Sequence, residues 1–408
     1  MKKNKADIKP DILTDIDRGE SLSLMEPLLI SENSKFRVQL MDLAMDLVAK
    51  SSGFKRSLPL AIQSSLATAI RSMNCYYSNL IEGHDTNPID IEKALQGNYS
   101  SDRKKRNLQQ EAKAHILVQE WIDNGGASKR CFSQEIICEI HKRFCEQLPE
   151  DLLWIEDKEN NTKLKLIPGE FRQSNVIVGN HIAISPGAIP RFLGRFESVF
   201  SSLSKAETIL ALAASHHRLL WIHPFLDGNG RVARLMSHAV TVDVLDSGGM
   251  WSIARGLARN INEYKEYLSN CDLTKRNDLD GRGNLSEEEL VKFTQFFLKV
   301  CIDQINFMEK LMQPDLLRSR ILTWAHEEIQ AGNLPLQVIA ILETILYRGE
   351  ISRKEVTEIL NVTDRHARRI TSSLIEKGIL ISDTPKSSLK LGFPVELANR
   401  WMPGLFPA

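Results

Sequence analysis

The 408 residues carry no overall excess of either charge, which leaves only a local patch to favour a charged partner. Lys and Arg together number 52, as do Asp and Glu, so no global field favours nucleic acid or an anionic membrane. Long hydrophobic runs are missing too: stretches such as Ile209 to Ala214 are far too short to span a bilayer. The six cysteines (Cys75, Cys131, Cys138, Cys145, Cys271, Cys301) form no CxxC pair and no zinc spacing. They fall inside apolar helical patterns, as small hydrophobes do in a reduced compartment. The opening MKKNKADIKPDILTDIDRGESL has lysines but no apolar segment behind them, so it does not read as a signal peptide, and a cytoplasmic protein is expected. No internal repeat and no low-complexity segment is visible. What is there, 42% hydrophobic and 25% charged residues, is ordinary globular composition, and the length calls for two or three domains.

Most of the chain carries helical periodicity, so the expected fold class is all-α in the main. Residues 34–50, 59–82, 108–122 and 133–148 place apolar side chains three and four apart. Pro59 suits a helix start, and Gly83 follows the second pattern as a C′ glycine does. A basic polar stretch, Gly97 to Asn107, separates these regions. The one clear β signal is Asn175 to Ile184, where two β-branched runs flank Gly179-Asn180, a dipeptide suited to a tight hairpin. An apolar helix from Ala206 to Trp221 follows, then a loop at His223 and a helix from about Gly230 to Leu245.

Residues 272–289 read as a polar connection. They approach a calcium loop, with Asp278, Asp280, Gly283 and Glu289 at positions 1, 3, 6 and 12, but Arg282 at position 5 puts a cation where a ligand oxygen is required. The site is rejected on that ground. Beyond about 331 the pattern gives three short helices (Leu334–Leu346, Ser352–Leu360, Asp364–Lys377) and two short strands, Leu380-Ile381 and Leu389–Leu391. This is the pattern of a winged helix-turn-helix. The boundaries expected are therefore 1–110, 111–270, a helical connector 271–330, and 331–408.

The chemistry concentrates in Trp221-Ile-His-Pro-Phe-Leu-Asp-Gly-Asn-Gly-Arg-Val-Ala-Arg234. His223 is the one side chain there whose ordinary pKa lies near neutrality, as a general base requires. Asp227 supplies a hard oxygen suited to Mg²⁺, which binds through one or two carboxylates plus substrate phosphates. Gly228-Asn229-Gly230 can take positive φ and turn successive N–H groups into an anion nest. The nest opens a helix, whose N-terminus favours phosphate. Arg231 and Arg234, three apart, can clamp phosphate oxygens. A structural turn needs a glycine or two, but not a histidine, an acid and two arginines in this order. His216 and His217 lie nearby, but adjacent residues do not share a helix face, so at least one is expected to be packed rather than ligating.

His223 to Arg234 matches without a gap the signature H-P-F-x-[D/E]-G-N-G-R-x-x-R, and on it the chain resembles Fic-domain proteins, most clearly over residues 111–270. The resemblance implies a helical core with a β-hairpin flap at about 164–186, and transfer of AMP from ATP to Ser, Thr or Tyr hydroxyls. It implies that His223 deprotonates the target, Asp227 holds Mg²⁺, Gly228 to Arg231 bind the α- and β-phosphates, and Arg234 binds the γ-phosphate. Phe225 is then an inward anchor. Ser78-Asn-Leu-Ile-Glu82-Gly83 resembles the inhibitory motif of autoinhibited Fic proteins, with its helix at about 59–83. In that reading Glu82 pairs with Arg234 in place of the γ-phosphate, and Ser78 shares its helix face. The hairpin falls where such proteins carry the flap, so an exposed edge there can register a target segment by strand addition. By the same resemblance Val178, Gly179, Asn180 and His181 contact the nucleotide, and Tyr264 stacks near the adenine.

The expected partners are a target protein, the chain itself as a target, and a second copy in a homodimer. A fourth is DNA, through Arg365, Arg368 and Arg369 of the last module's recognition helix with Lys386 and Lys390 at its wing. Alternatives stay open: a DNA-binding regulator whose Fic-like part is a sensor, transfer of another group such as UMP or phosphocholine, or removal of AMP.

Overall fold

Apolar residues at helical spacing become helices along nearly the whole chain, and a computed structural model describes residues 17–157 and 162–407. Helix α1 spans Arg37–Arg56 and runs beyond the expected Lys50, because Ser51 and Phe54 bury on the same stripe as Leu40, Ala44 and Leu47. Helix α2, Leu60–Ile81, starts after Pro59 and ends as expected at Gly83 (φ 81°), where the His84 N–H reaches back to the Asn79 carbonyl at 2.9 Å. Helix α3, Pro88–Leu95, is additional to the expectation; Asn87 caps it and Pro88 opens it. The basic stretch Gly97 to Asn107 is helical from Arg103 onward. Asp102 accepts the Lys105 N–H at 2.8 Å and starts helix α4, Arg103–Asp123. Helix α5 is Gln134–Glu146, capped by Ser133.

Two hairpins follow, where the sequence offered one. Strands β1 (Trp154–Asp157) and β2 (Thr162–Lys165) pair antiparallel. The expected hairpin narrows to β3 (Ile177–Val178) and β4 (His181–Ile182), paired around Gly179 and Asn180. Next come α6 (Ile189–Phe200) and, in place of one helix over 206–221, α7 (Lys205–Leu210) and α8 (Leu212–Ile222), with a break at Ala211. Helix α9 is Asn229–Leu245. Helices α8 and α9 are buried along almost their entire lengths and pack against each other at the centre of the molecule.

Helices α10 (Ile253–Arg259), α11 (Ile261–Asn270) and α12 (Glu287–Leu311) pack around that centre, whereas α13 (Pro314–Gln330) packs against the C-terminal helices. Before α12, the Asp280 carboxylate accepts the N–H groups of Arg276 and Glu288. Among the described residues no group of three or more His, Cys, Asp or Glu could hold a metal ion. The C-terminal part comprises α14 (Val338–Arg348), β5 (Glu350–Ile351), α15 (Arg353–Leu360), α16 (Asp364–Glu376), β6 (Leu380–Ile381), β7 (Leu389–Leu391) and α17 (Ala398–Trp401). Its strands form one antiparallel sheet in the order β5-β7-β6. Its end folds back on the first half: Phe406 meets the Tyr76 ring edge-on at 5.7 Å. All six cysteines are free, but Cys131 precedes α5 and Cys271 follows α11 rather than lying inside helices. No described helix is long and apolar enough to cross a membrane.

Candidate active site

Helix α8 ends at His223 because Pro224 follows, and the residue before a proline is driven out of the right-handed helical region. His223 takes φ 50°, ψ 61° instead, a left-handed conformation that is uncommon outside glycine. The Arg172 guanidinium, itself 2% exposed, holds it there by donating to the His223 carbonyl at 2.8 Å. The His223 imidazole is 9% exposed, and its Nδ1–H faces the Leu220 carbonyl at 3.3 Å, which leaves the Nε2 lone pair free. Burial, and then the Arg172 charge, pushes its pKa down to about 3, so the ring is neutral at physiological pH.

The loop beyond is closed from inside. Phe225 is fully buried, as expected of an anchor, and stacks on His141 with ring centroids 3.8 Å apart and planes within 3°. The Asn229 side chain accepts the Phe225 N–H at 2.9 Å and donates to the Phe225 carbonyl at 2.8 Å. Asn229 is therefore a staple of the loop, and only its backbone remains for an anion nest. Gly228 takes φ 83°, whereas Gly230 lies inside α9 with no positive φ, contrary to the expectation for both glycines. Gly230 is required for space: a Cβ there would collide with the Glu82 carboxylate. Asp227 is exposed, and one of its oxygens accepts the Gly228 N–H at 2.7 Å.

Both arginines of α9 are buried and held by carboxylates. Arg231 donates to Glu111 of α4 at 3.1 Å, and His84 lies against the same Glu111 oxygen at 2.7 Å. Arg234 donates to the Ser78 hydroxyl at 2.9 Å, to the Ser78 carbonyl at 3.2 Å, and to Glu82. Burial raises the Glu82 carboxyl, but Arg234 and then Arg231 more than offset this and hold it below the usual carboxylate range. The side chain of Glu82 keeps 34% of its surface accessible, at the mouth of the cradle. The site thus assembles a neutral imidazole, an exposed carboxylate, the N-terminus of a helix and two fixed guanidinium groups, with a carboxylate already seated among them.

Residues 131–240 match the Fic/DOC family. The matched span holds His223 through Arg234 and the β3–β4 hairpin, while Ser78, Glu82 and Tyr264 lie outside it. "Protein adenylyltransferase Fic" of Drosophila erecta is 28% identical over 194 residues, which are 46% of this chain and 36% of that protein. The protein of the same name from Drosophila sechellia is 29% identical over 167 residues, covering 40% and 31%. The chain thus spans about a third of the length of these relatives. In fold it resembles the crystal structure of a Fic family protein from Desulfovibrio desulfuricans G20, with a TM-score of 0.52 at 15% identity over 90% of this chain and 98% of that one.

Around the Fic region the other expected residues divide. Val178 and His181 pair across the hairpin, with Gly179 and Asn180 exposed at its tip, and His181 Nε2 lies 2.7 Å from the Trp221 carbonyl. Tyr264 is a correction: it is 3% exposed, its ring packs near Phe293 and its hydroxyl lies 2.8 Å from His216 Nε2, so no open face remains for a base to stack on. His216 and His217 are both buried and partnered, by Ser237 and Tyr264 and by Asp272 and Arg218, so neither is a ligand. The sequence reading missed Arg172, His141, Glu111 and His84. Only Glu111 carried a signal, as an acid on a helix of otherwise basic first turns.

Proposed function

We propose that the chain is a protein adenylyltransferase that moves AMP from ATP to a Ser, Thr or Tyr hydroxyl of a target protein, itself included, and that Glu82 restrains it. The observation that carries this reading is the position of Glu82. A carboxylate rests over the N-terminus of α9, paired with Arg234, beside a buried imidazole kept neutral. A site that accommodates one anion in that cradle is built for another, and the helix N-terminus supplies the field.

In the reaction, His223 Nε2 takes the proton from the target hydroxyl as its oxygen attacks the α-phosphorus. The bond from that phosphorus to the bridging oxygen breaks and pyrophosphate leaves. The backbone N–H groups of Asn229 and Gly230, presented by the turn at Gly228, and the Arg231 guanidinium, held by Glu111, bind the α- and β-phosphates. Arg234 takes the γ-phosphate once Glu82 withdraws. Such transfers depend on positioning and charge stabilisation more than on covalent catalysis. Asp227 fits Mg²⁺ in donor type, as a single exposed carboxylate with one oxygen committed to Gly228. That suits an ion that takes most of its ligands from phosphates and water. When bound, the ion neutralises charge on the phosphates. The β3–β4 hairpin presents the target segment.

The three helices and three-stranded sheet at the C-terminus support a winged helix-turn-helix reading. Arg365, Arg368 and Arg369 are exposed on α16, which favours duplex DNA as a second partner. Incubation with α-labelled ATP and Mg²⁺, followed by intact mass measurement, tests the main reading. An added AMP is expected, and it should vanish in His223→Ala while ATP binding persists. Undiminished transfer by that variant would refute the role of the base, and another adduct would reassign the transferred group.

A further inference from the structure

Arg172 lies between helix α5 and the β3 strand and touches none of the residues assigned to the nucleotide. Its side chain is nevertheless buried, at 2% exposure, and every partner it has is a carbonyl oxygen. Nε donates to His223 at 2.8 Å, one terminal nitrogen donates to Ser174 at 2.8 Å, and the other donates to Ile184. Its backbone N–H donates to the Pro224 carbonyl at 2.9 Å. A buried cation is normally balanced by a carboxylate in contact. Here three carbonyls take that place, and burial, followed by the Arg18 charge, lowers its own pKa to about 10.

Those three carbonyls are not equivalent. Ser174 precedes the first arm of the hairpin and Ile184 follows the second, while His223 belongs to the loop between α8 and α9. Beyond the two paired residues of each arm only the Ala183 N–H reaches across, to Val176 at 3.2 Å, so the guanidinium closes the base of the hairpin where the ladder stops. The second arm is also fixed from outside: Glu20 accepts from Ser185 N–H and hydroxyl at 2.7 and 2.6 Å, and Arg18 donates to the Ala183 carbonyl at 3.2 Å.

We propose that Arg172 is a positioning residue that couples the hairpin to the base, one guanidinium holding both arms of β3–β4 against the left-handed His223. This rests on His223 acting as the base. Where the target segment is held and where its proton is taken are then set by a single rigid fork. The charge has a second consequence. Of the charged or titratable groups acting on His223, Arg172 and His181 of the hairpin disfavour the imidazolium, while Glu82 at the end of α2 favours it.

The test compares Arg172→Gln and Arg172→Lys in the full chain, each with and without Glu82→Gly. Self-modification from α-labelled ATP, ATP binding, and His223 titration by ¹³C imidazole NMR (assigned by its loss in His223→Ala) are measured. With Arg172→Gln the His223 midpoint should rise by about one pH unit as a like charge is removed. Arg172→Lys should keep the low midpoint. Both should slow transfer by about 10- to 100-fold, since an ammonium cannot span three carbonyls and small displacements of a reacting group are costly. ATP binding should stay within about twofold. An unchanged midpoint and rate in Arg172→Gln would overturn the inference, as would loss of ATP binding in parallel with rate, which marks a merely structural arginine. If the Glu82→Gly parent transfers nothing, the adenylyltransferase reading fails, while the titration still decides whether Arg172 governs His223.

Discussion

The Glu82 carboxylate occupies the space that a Cβ on residue 230 would need, so the glycine of one helix and the acid at the end of another are fitted to each other. The same carboxylate is the ion-pair partner of Arg234. Removing the acid should therefore free the arginine and the helix N-terminus together. Glu82→Gly is expected to raise AMP transfer by about 5–150-fold, the range of a typical coupling between sites. Labelled-ATP incorporation measures it, and an unaltered rate would mean that the ion pair restrains nothing.

Gly230→Ala separates crowding by Glu82 from crowding by substrate. If phosphate takes the position that Glu82 leaves, a methyl at 230 obstructs both. The double variant Glu82→Gly/Gly230→Ala should then bind ATP at least about tenfold more weakly than Glu82→Gly, a cost of about 1.4 kcal/mol. Equal affinities in calorimetry would place the phosphates elsewhere.

Acid should destabilise the fold earlier than its carboxylates predict. His115, His141, His216, His217 and His223 are buried, and burial above all pushes their pKa values down to about 3 or 4. Unfolded, each titrates near 6.5. Below that pH the unfolded chain binds protons that the folded chain refuses, so stability present above about 6.5 is lost as pH falls, by up to about 1.4 kcal/mol per unit for each histidine. Glu82 and Glu111 lie below the ordinary carboxylate range and remain charged through this window. The urea midpoint should drop markedly between pH 7 and 5, and a flat profile would show that these rings are not buried and neutral.

Asn229→Ala leaves both the N–H and the carbonyl of Phe225 without partners in a buried loop. The cost is about 1–3 kcal/mol for each orphaned group, seen as a lower melting temperature together with slower transfer. Asn229→Asp retains the acceptor and should lose less activity. The opposite ranking would argue that the amide's donor side dominates.

Chelation should abolish transfer, and Mg²⁺ should restore it with a midpoint that Asp227→Ala shifts to higher concentration. An identical midpoint would remove Asp227 from the site.

The run from His223 to Arg234 was legible because it is contiguous: a histidine, an acid, glycines and arginines occupy one turn and one helix start, where spacing alone fixes relative placement. The helices were legible for the same reason, since burial with a period near 3.6 is a local property. Errors fell where that locality breaks. Gly230 read as a flexible nest residue, but its lack of a side chain answers to a carboxylate 148 positions away in the chain (230 − 82). Tyr264 read as a stacking surface, and its hydroxyl is instead committed to His216, 48 residues before it.

Composition, periodicity and one unbroken motif were sufficient for the helical class and for locating the candidate site, because each depends on neighbours within a few residues. Which side chains hold those groups in place was settled only by folding. Arg172 meets His223 across 51 residues and Glu111 meets Arg231 across 120. Contacts at such separations arise from how helices pack, and no spacing along a chain encodes them.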